Sequence, residues 1–252
     1  MSEEKVTPRV IISKCLTFAS CRYNGSQVND QFIEELKDYV DFIPVCPEVE
    51  IGLDTPRDPL RLVRQDGEKR LMQPSTEQDL TVPLNEFAHQ FFSEQLEVDG
   101  FIFKNRSPSC GSRDSQIYPE IDSNVPADTG RGLFAEKAQD YFPRTAVINE
   151  GRLKNFRLRK DFLTRLFTLA RFRQVKQEKD MGQLVQFQAE NKYLLLAYNE
   201  EQMRQLGRIT ANPEQQPLTE VLTDYEQHLL QPLSTKSSLT ANINILLHTL
   251  LH

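Results

Sequence analysis

The residues of this chain with the most distinctive chemistry are its four cysteines, Cys15, Cys21, Cys46 and Cys110. Four thiols spread over 252 residues are too few for a disulfide framework, and in a reducing compartment such thiols bind metal, react, or pack as small hydrophobes. Three of them follow apolar, β-prone runs. Cys15 comes just after Val10-Ile11-Ile12-Ser13, Cys46 directly after Phe42-Ile43-Pro44-Val45, and Cys110 in the loop Asn105-Arg106-Ser107-Pro108-Ser109-Cys110-Gly111-Ser112 behind Phe101-Ile102-Phe103-Lys104. If these runs are neighbouring parallel strands, the three thiols converge in one crevice, because ligands of open α/β sheets bind beyond the carboxyl ends of the strands. Three converging thiolates point to metal. A closed zinc site wants four ligands; neither a Cys-x-x-Cys pair nor a suitably spaced His is present, and Cys21 could serve only if its loop folded back. An iron–sulfur cluster is the natural soft-ligand alternative, and three thiolates on four irons leave one iron open as a Lewis acid. Cys110 as a nucleophile is a further alternative, without a histidine near it in sequence.

The elements that must position these thiols follow from periodicity. A fourth strand is expected at Thr145-Ala146-Val147-Ile148, and amphipathic stretches lie between the strands. Residues 31–40 carry apolar side chains near the helical repeat, with Asn29 or Asp30 as cap. Leu84, Phe87, Ala88, Phe91 and Phe92 form a second stripe, with Asp79 or Thr81 as cap and Pro83 in the first turn, and Leu133–Ala138 reads as a third helix. Strand and helix alternate, so the expected fold is α/β: an open parallel Rossmann-like sheet with helices on both faces, followed by a smaller all-helical domain. Ile51–Leu80 shows no sustained period and reads as a long loop with at most a short hairpin near Asp66-Gly67; a loop that long, so near Cys46, is expected to be functional.

Charge divides the chain in the same place. Residues 1–150 carry a net −10 and residues 151–252 a net +4 within an overall −6. The reading is therefore a domain over 1–150 and a helical domain over 151–252, the latter with stripes at Phe162–Ala170, Leu184–Ala197, Glu201–Ile209, Leu218–Leu230 and Leu239–Leu251. Composition is that of a folded soluble protein, and the absence of a signal-like start or a long apolar run argues for the cytoplasm and against a membrane. Oligomeric state leaves no mark in the sequence.

Seven ordered blocks, Cys15-Leu16, Arg22-Tyr23-Asn24-Gly25, Cys46-Pro47-Glu48-Val49, Gly52-Leu53, Thr55-Pro56-Arg57, Asp79-Leu80-Thr81 and Ser107-Pro108-Ser109-Cys110-Gly111-Ser112, resemble the thiouracil desulfidase family over roughly residues 9–150. The resemblance implies a Rossmann-like domain with a [4Fe-4S] cluster held by Cys15, Cys46 and Cys110, which removes sulfur from thiolated uracil (2-thiouracil, 4-thiouracil or thiouridine monophosphate) without net redox change. It makes Glu48 the acid/base, Ser107 or Ser109 its assistant, and leaves Cys21 a packed thiol. The chain departs from the family pattern at Thr17-Phe18 in place of Leu-Gly, at Asn24 in place of Asp, and at Ile51 in place of a glycine. Phe18 is expected to project a ring near the first ligand. The segment Lys192–Ala197 with Arg204–Arg208 resembles an uncharacterised helical domain found behind desulfidase-like domains, and the domain is expected to be shortened here.

If the small-molecule partner is a thiolated nucleotide and not the free base, Arg57 and the turn Gly130-Arg131-Gly132, which precedes a helix, are the candidates for its phosphate. A lone Gly-x-Gly is more often a tight turn that needs positive φ. Arg152–Lys176 holds nine Lys/Arg against Asp161 alone, interleaved with phenylalanines at helical spacing. We read these as a buried stripe with a solvated basic face, and the chain's pI near 5.4 speaks against nucleic acid as partner. His89, His228, His248 and His252 are scattered away from the cysteine blocks, and no hydrolase elbow, zinc-protease helix or P-loop occurs. The competing class is a non-enzymatic iron–sulfur sensor or interaction protein, which has no need of a carboxylate at Glu48.

Overall fold

The computed structural model describes residues 6–95, 97–212 and 214–234. They fall into two compact units that divide between Phe167 and Thr168. The stretch Leu239–Leu251, with His248 and His252, lies outside the described residues.

All four expected strands form, at β1 (Arg9–Ser13), β2 (Asp41–Val45), β6 (Gly100–Phe103) and β9 (Ala146–Asn149), as one parallel sheet in the order β2-β1-β6-β9. Leaving β1, the chain crosses first to β2 on one side and later to β6 on the other, so the topological switch point lies at the end of β1. Register brings Ser13 opposite Val45 and Ile12 opposite Ile102, so all three strands end at nearly the same level. Helix α1 (Gln31–Leu36) is capped by Asp30, whose carboxylate accepts from the amides of Phe32 and Ile33. Helix α3 (Thr81–Ser93) packs with α4 (Leu133–Tyr141) on one face of the sheet, where Phe87, Phe91, Phe92, Phe101, Phe103 and Phe134 interlock. Val10, Ile12 and Ile102 point to the other face and are fully buried.

The Ile51–Leu80 segment departs from expectation. After the one-turn helix α2 (Pro47–Glu50), β3 (Arg61–Gln65) and β4 (Glu68–Gln73) pair around Asp66-Gly67, both at positive φ, as a two-residue hairpin turn requires. With β5 (Gln78–Asp79), β7 (Ser115–Tyr118) and β8 (Asp128–Gly130) they make a second sheet, β5-β4-β3-β7-β8. Its central strand β3 is short and buries Leu62 and Val63 beside two exposed residues, a pattern too brief to register as a period. Its partner β7 arrives more than fifty residues later in the chain.

Beyond β9, α5 (Glu150–Leu153) leads to α6 (Phe156–Glu178), which begins in the first unit and ends in the second. In the second unit α7 (Met181–Tyr198), α8 (Glu200–Ala211) and α9 (Leu218–Ser234) enclose Phe172, Phe187, Leu206 and Tyr225, and the Tyr225 hydroxyl donates to Gln188 Oε1 at 2.5 Å. Of the phenylalanines in the basic stretch, Phe162 and Phe172 are buried while Phe156 stands in solvent. No helix among the described residues is long and apolar enough to cross a membrane.

Phe134 sits at the centre of the aromatic layer, fully buried. Phe134→Ala is expected to destabilise the protein by roughly 3–5 kcal/mol, read from denaturant unfolding; a loss under about 1 kcal/mol would mean that the layer does not hold α4 to the sheet.

Candidate active site

The switch point gathers the cysteines as the strand order requires. Cys15, Cys21, Cys46 and Cys110 all line one cavity of about 590 Å³, and each is buried. Interaction with the Cys15 thiol, followed by burial, pushes the Cys21 thiol up to about 11, and the Cys46 thiol reaches the Cys21 carbonyl at 3.9 Å. Cys46 is held far above the ordinary thiol range by its hydrogen bond with Cys21 and by burial, and Cys110 is raised chiefly by burial. Cys21, set aside in the sequence, thus belongs to the cavity wall. Its loop does fold back, because Leu16 and Val28 form a bridge and the Cys15 carbonyl accepts from Val28 N at 2.8 Å. Phe18 does not project into the cavity as expected: its ring packs edge-on against Phe42, with Lys37 over its face.

Glu48 stands on α2, whose N-cap is Cys46 and whose first position is Pro47, so the strand end, ligand candidate and carboxylate are fixed by one turn of helix. The Ser109 hydroxyl, wholly buried, donates to Glu48 Oε1 at 2.8 Å. Ser107 lines the cavity, and its Oγ accepts from the amides of Cys110 (3.0 Å) and Ser109 (3.3 Å), shaping the loop. Arg57 lines the cavity, but its guanidinium is engaged with Glu48 Oε2 at 2.6 and 2.9 Å. Burial works against its charge and Glu48 more than offsets this, holding Arg57 above its ordinary value.

The Gly130-Arg131-Gly132 turn does not line the cavity. Its helix amides are already taken by the cysteine loop: Leu133 N donates to Pro108 O (3.1 Å), Ala135 N to Ser109 O (3.1 Å) and Gly132 N to Gly111 O (2.8 Å). Gly132 must be glycine for this approach, since a Cβ there would lie 2.5 Å from the Ser109 carbonyl carbon and oxygen. Gly111 is equally confined, with a Cβ position 2.1 Å from Ser115 Oγ and 2.8 Å from Ser107 O.

Six bases, Lys14, Arg22, Arg57, Arg61, Lys104 and Arg106, surround the cavity against the single acid Glu48. Lys104 pairs with Glu150, Arg61 donates to the carbonyls of Ile121 and Ser123, and Arg22 donates to Ser26 Oγ. The side chains of Lys14 and Arg106 make no ion pair or hydrogen bond among the described residues. The second sheet adds Gln116 and Tyr118, with the Tyr118 hydroxyl donating to Gln116 Oε1 at 2.9 Å. Sequence reasoning missed these two because β7 was not foreseen. Lys14 and Arg106 stood beside Cys15 and in the Cys110 loop, and that adjacency was the available signal.

A family model described as 2-thiouracil desulfurase matches residues 10–150, and one described as a protein of unknown function (DUF1722) matches residues 192–252. The uncharacterized protein YbbK of Bacillus subtilis (strain 168) is 32% identical over 110 residues, which cover 41% of this chain and 73% of that protein. Among solved structures, the [4Fe-4S]-dependent thiouracil desulfidase TudS superposes with a TM-score of 0.46 at 24% identity, covering 61% of this chain and 98% of its own.

The two glycines of the turn separate in their expected tolerance. Gly132→Ala drives a methyl into backbone and is expected to destabilise by roughly 1–3 kcal/mol. Gly130→Ala meets only the rotatable Ile117 Cδ1 at 2.9 Å and is expected to cost less than about 1 kcal/mol. Urea unfolding of both variants checks the order, and equal losses would contradict it.

Proposed function

The chain belongs to the 2-thiouracil desulfurase family, and from that premise we propose that it releases sulfide from thiolated uracil, without net redox change, using a [4Fe-4S] cluster held by Cys15, Cys46 and Cys110. One observation carries the reading: the buried Glu48 carboxylate, hydrogen-bonded to Ser109, lies in the same cavity wall as the thiols. The donor set suits such a group. Four free, buried thiols line the cavity, and soft thiolate ligands are those that iron–sulfur clusters take. When bound, the cluster's open iron supplies Lewis acidity toward a thiocarbonyl sulfur.

The chain's own residues supply the rest. Glu48 Oε1, oriented by Ser109, accepts a proton from the attacking water and returns one to the ring nitrogen. Val45, Leu60 and Leu62 line the cavity with apolar side chains that limit water to the reacting face. Among thiolated uracils, the finer assignment is a nucleoside monophosphate such as 4-thiouridine monophosphate. Lys14 and Arg106 are cations at the cavity without partners among the described residues, and an anionic phosphate satisfies both. They take the part that Arg57 and Gly130–Gly132 were expected to play.

Two measurements test this. Glu48→Gln is expected to keep full iron and acid-labile sulfide per chain while sulfide release falls about 100-fold or more; undiminished release would refute Glu48 as the acid/base. Lys14→Gln with Arg106→Gln is expected to raise KM for 4-thiouridine monophosphate on the order of 10-fold or more and to leave KM for 4-thiouracil unchanged; an equal change on both substrates refutes a phosphate subsite.

A further inference from the structure

Arg57 has more partners than any other side chain of the site, and the desulfuration scheme leaves it without a task. Its side chain is 5% exposed and that of Glu48 11%. Nε and Nη2 both donate to Glu48 Oε2, at 2.9 and 2.6 Å. Nη1 and Nη2 each donate to the Cys21 carbonyl at 3.1 Å, and Nη1 also reaches Asp54 O at 3.2 Å and Thr55 Oγ1 at 3.3 Å. All five guanidinium N–H groups are thereby committed, so none remains for a substrate anion. The backbone joins in, with Arg57 N donating to Tyr23 O at 2.7 Å.

We propose that Arg57 is a positioning residue: it holds the Glu48 carboxylate at Oε2 while Ser109 holds Oε1, and through the Cys21 carbonyl it locks that carboxylate to the loop that carries Cys15. The proposal rests on the desulfidase reading for its catalytic meaning. Three segments that are remote in sequence, Cys15–Tyr23, Cys46–Glu48 and Ser107–Cys110, meet at one carboxylate, and without the clamp Glu48 can rotate within its own turn. A lysine cannot replace the fork, because one ammonium does not span Glu48 Oε2 and the Cys21 carbonyl with matched geometry. Cys21 then owes its place to its carbonyl as much as to its thiol.

The test is a double-variant cycle on the reconstituted full chain, comparing wild type, Arg57→Gln, Arg57→Lys, Glu48→Gln and the Arg57→Gln/Glu48→Gln pair. Iron and sulfide per chain, melting temperature, and kcat and KM on 4-thiouracil and 4-thiouridine monophosphate are measured for each. Arg57→Gln is expected to keep its iron and to lose about 100-fold in kcat on both substrates with little change in KM, the cost of a misplaced catalytic group. Arg57→Lys is expected to restore less than about one tenth of the lost rate. In the Glu48→Gln background the same change is expected to alter kcat less than about twofold, and the double variant to melt no lower than Arg57→Gln alone, because the two side chains act as one unit. A rise in KM confined to the monophosphate would make Arg57 a phosphate ligand, and iron loss in step with rate would make it cluster scaffolding. Either overturns the proposal, as do additive melting temperatures. Wild type that holds full iron and releases no sulfide from either substrate would instead defeat the desulfidase reading, while the melting cycle still decides the clamp.

Discussion

Parallel pairing of β1 with β2 on one side and β6 on the other is the constraint from which the site follows. Parallel strands all deliver their carboxyl ends to the same edge, and a reversal of strand order opens a crevice between the loops that leave there. Cys15, Cys46 and Cys110 each lie in the segment that follows one of those three strands, so thiols far apart in sequence come to line one cavity. A change of one residue in the register between β1 and β2 would carry Ser13 past Val45 and separate the loops that hold Cys15 and Cys46. The aromatic layer under α3 and α4 opposes such slippage by filling the face on which Ile11, Phe101 and Phe103 lie.

What could be read from the sequence follows the length of the signals. The four sheet strands were legible because each is an uninterrupted apolar run, the mark of a parallel strand buried on both faces. Asp30 as a cap and Pro83 in a first turn were legible because caps are local chemistry. The second sheet was not, apart from the Asp66-Gly67 turn: β7 offers four residues, and its partner β3 lies far back in the chain, so nothing local announces the pairing. At the site, residue types were readable and partnerships were not. A Thr-Pro-Arg segment shows a cation near the cavity, but only the folded chain shows that its guanidinium already has a carboxylate and carbonyls to bind. The glycines of the 130–132 turn present the same ambiguity, resolved by the loop carbonyls that occupy the helix amides.

The Glu48–Arg57 pair shows why such partnerships matter energetically. Taking both charges out of water costs several kcal/mol per ion, which is offset only where geometry is good and the remaining lone pairs and N–H groups are satisfied. Here they are, through Ser109, the Cys21 carbonyl, Asp54 O and Thr55 Oγ1. A pair of apolar residues would fill the space at lower risk to stability, so its presence is better explained by orientation than by stabilisation. Severing one half would leave the other charge buried, at a cost of about 3–5 kcal/mol.

Preorganisation of the loops also bears on how the cavity could be loaded. In small zinc domains the metal supplies the folding free energy, because the ligand loops have little else to hold them. Here the loops are held by their own backbone. Val28 N closes on Cys15 O, Glu50 N and Val49 N on Cys46 O, and Gly111 N on Ser107 O, all at or below 3.0 Å. The Cys110 loop is further clasped by the first amides of α4. The loops that carry the thiols are therefore ordered by the chain itself, while neighbouring thiols and burial favour the protonated forms of Cys21 and Cys46, and burial that of Cys110. A group that binds thiolates displaces protons from these thiols and needs little further ordering of the chain. The same backbone contacts hold Glu48 and Ser109 facing each other at hydrogen-bond distance.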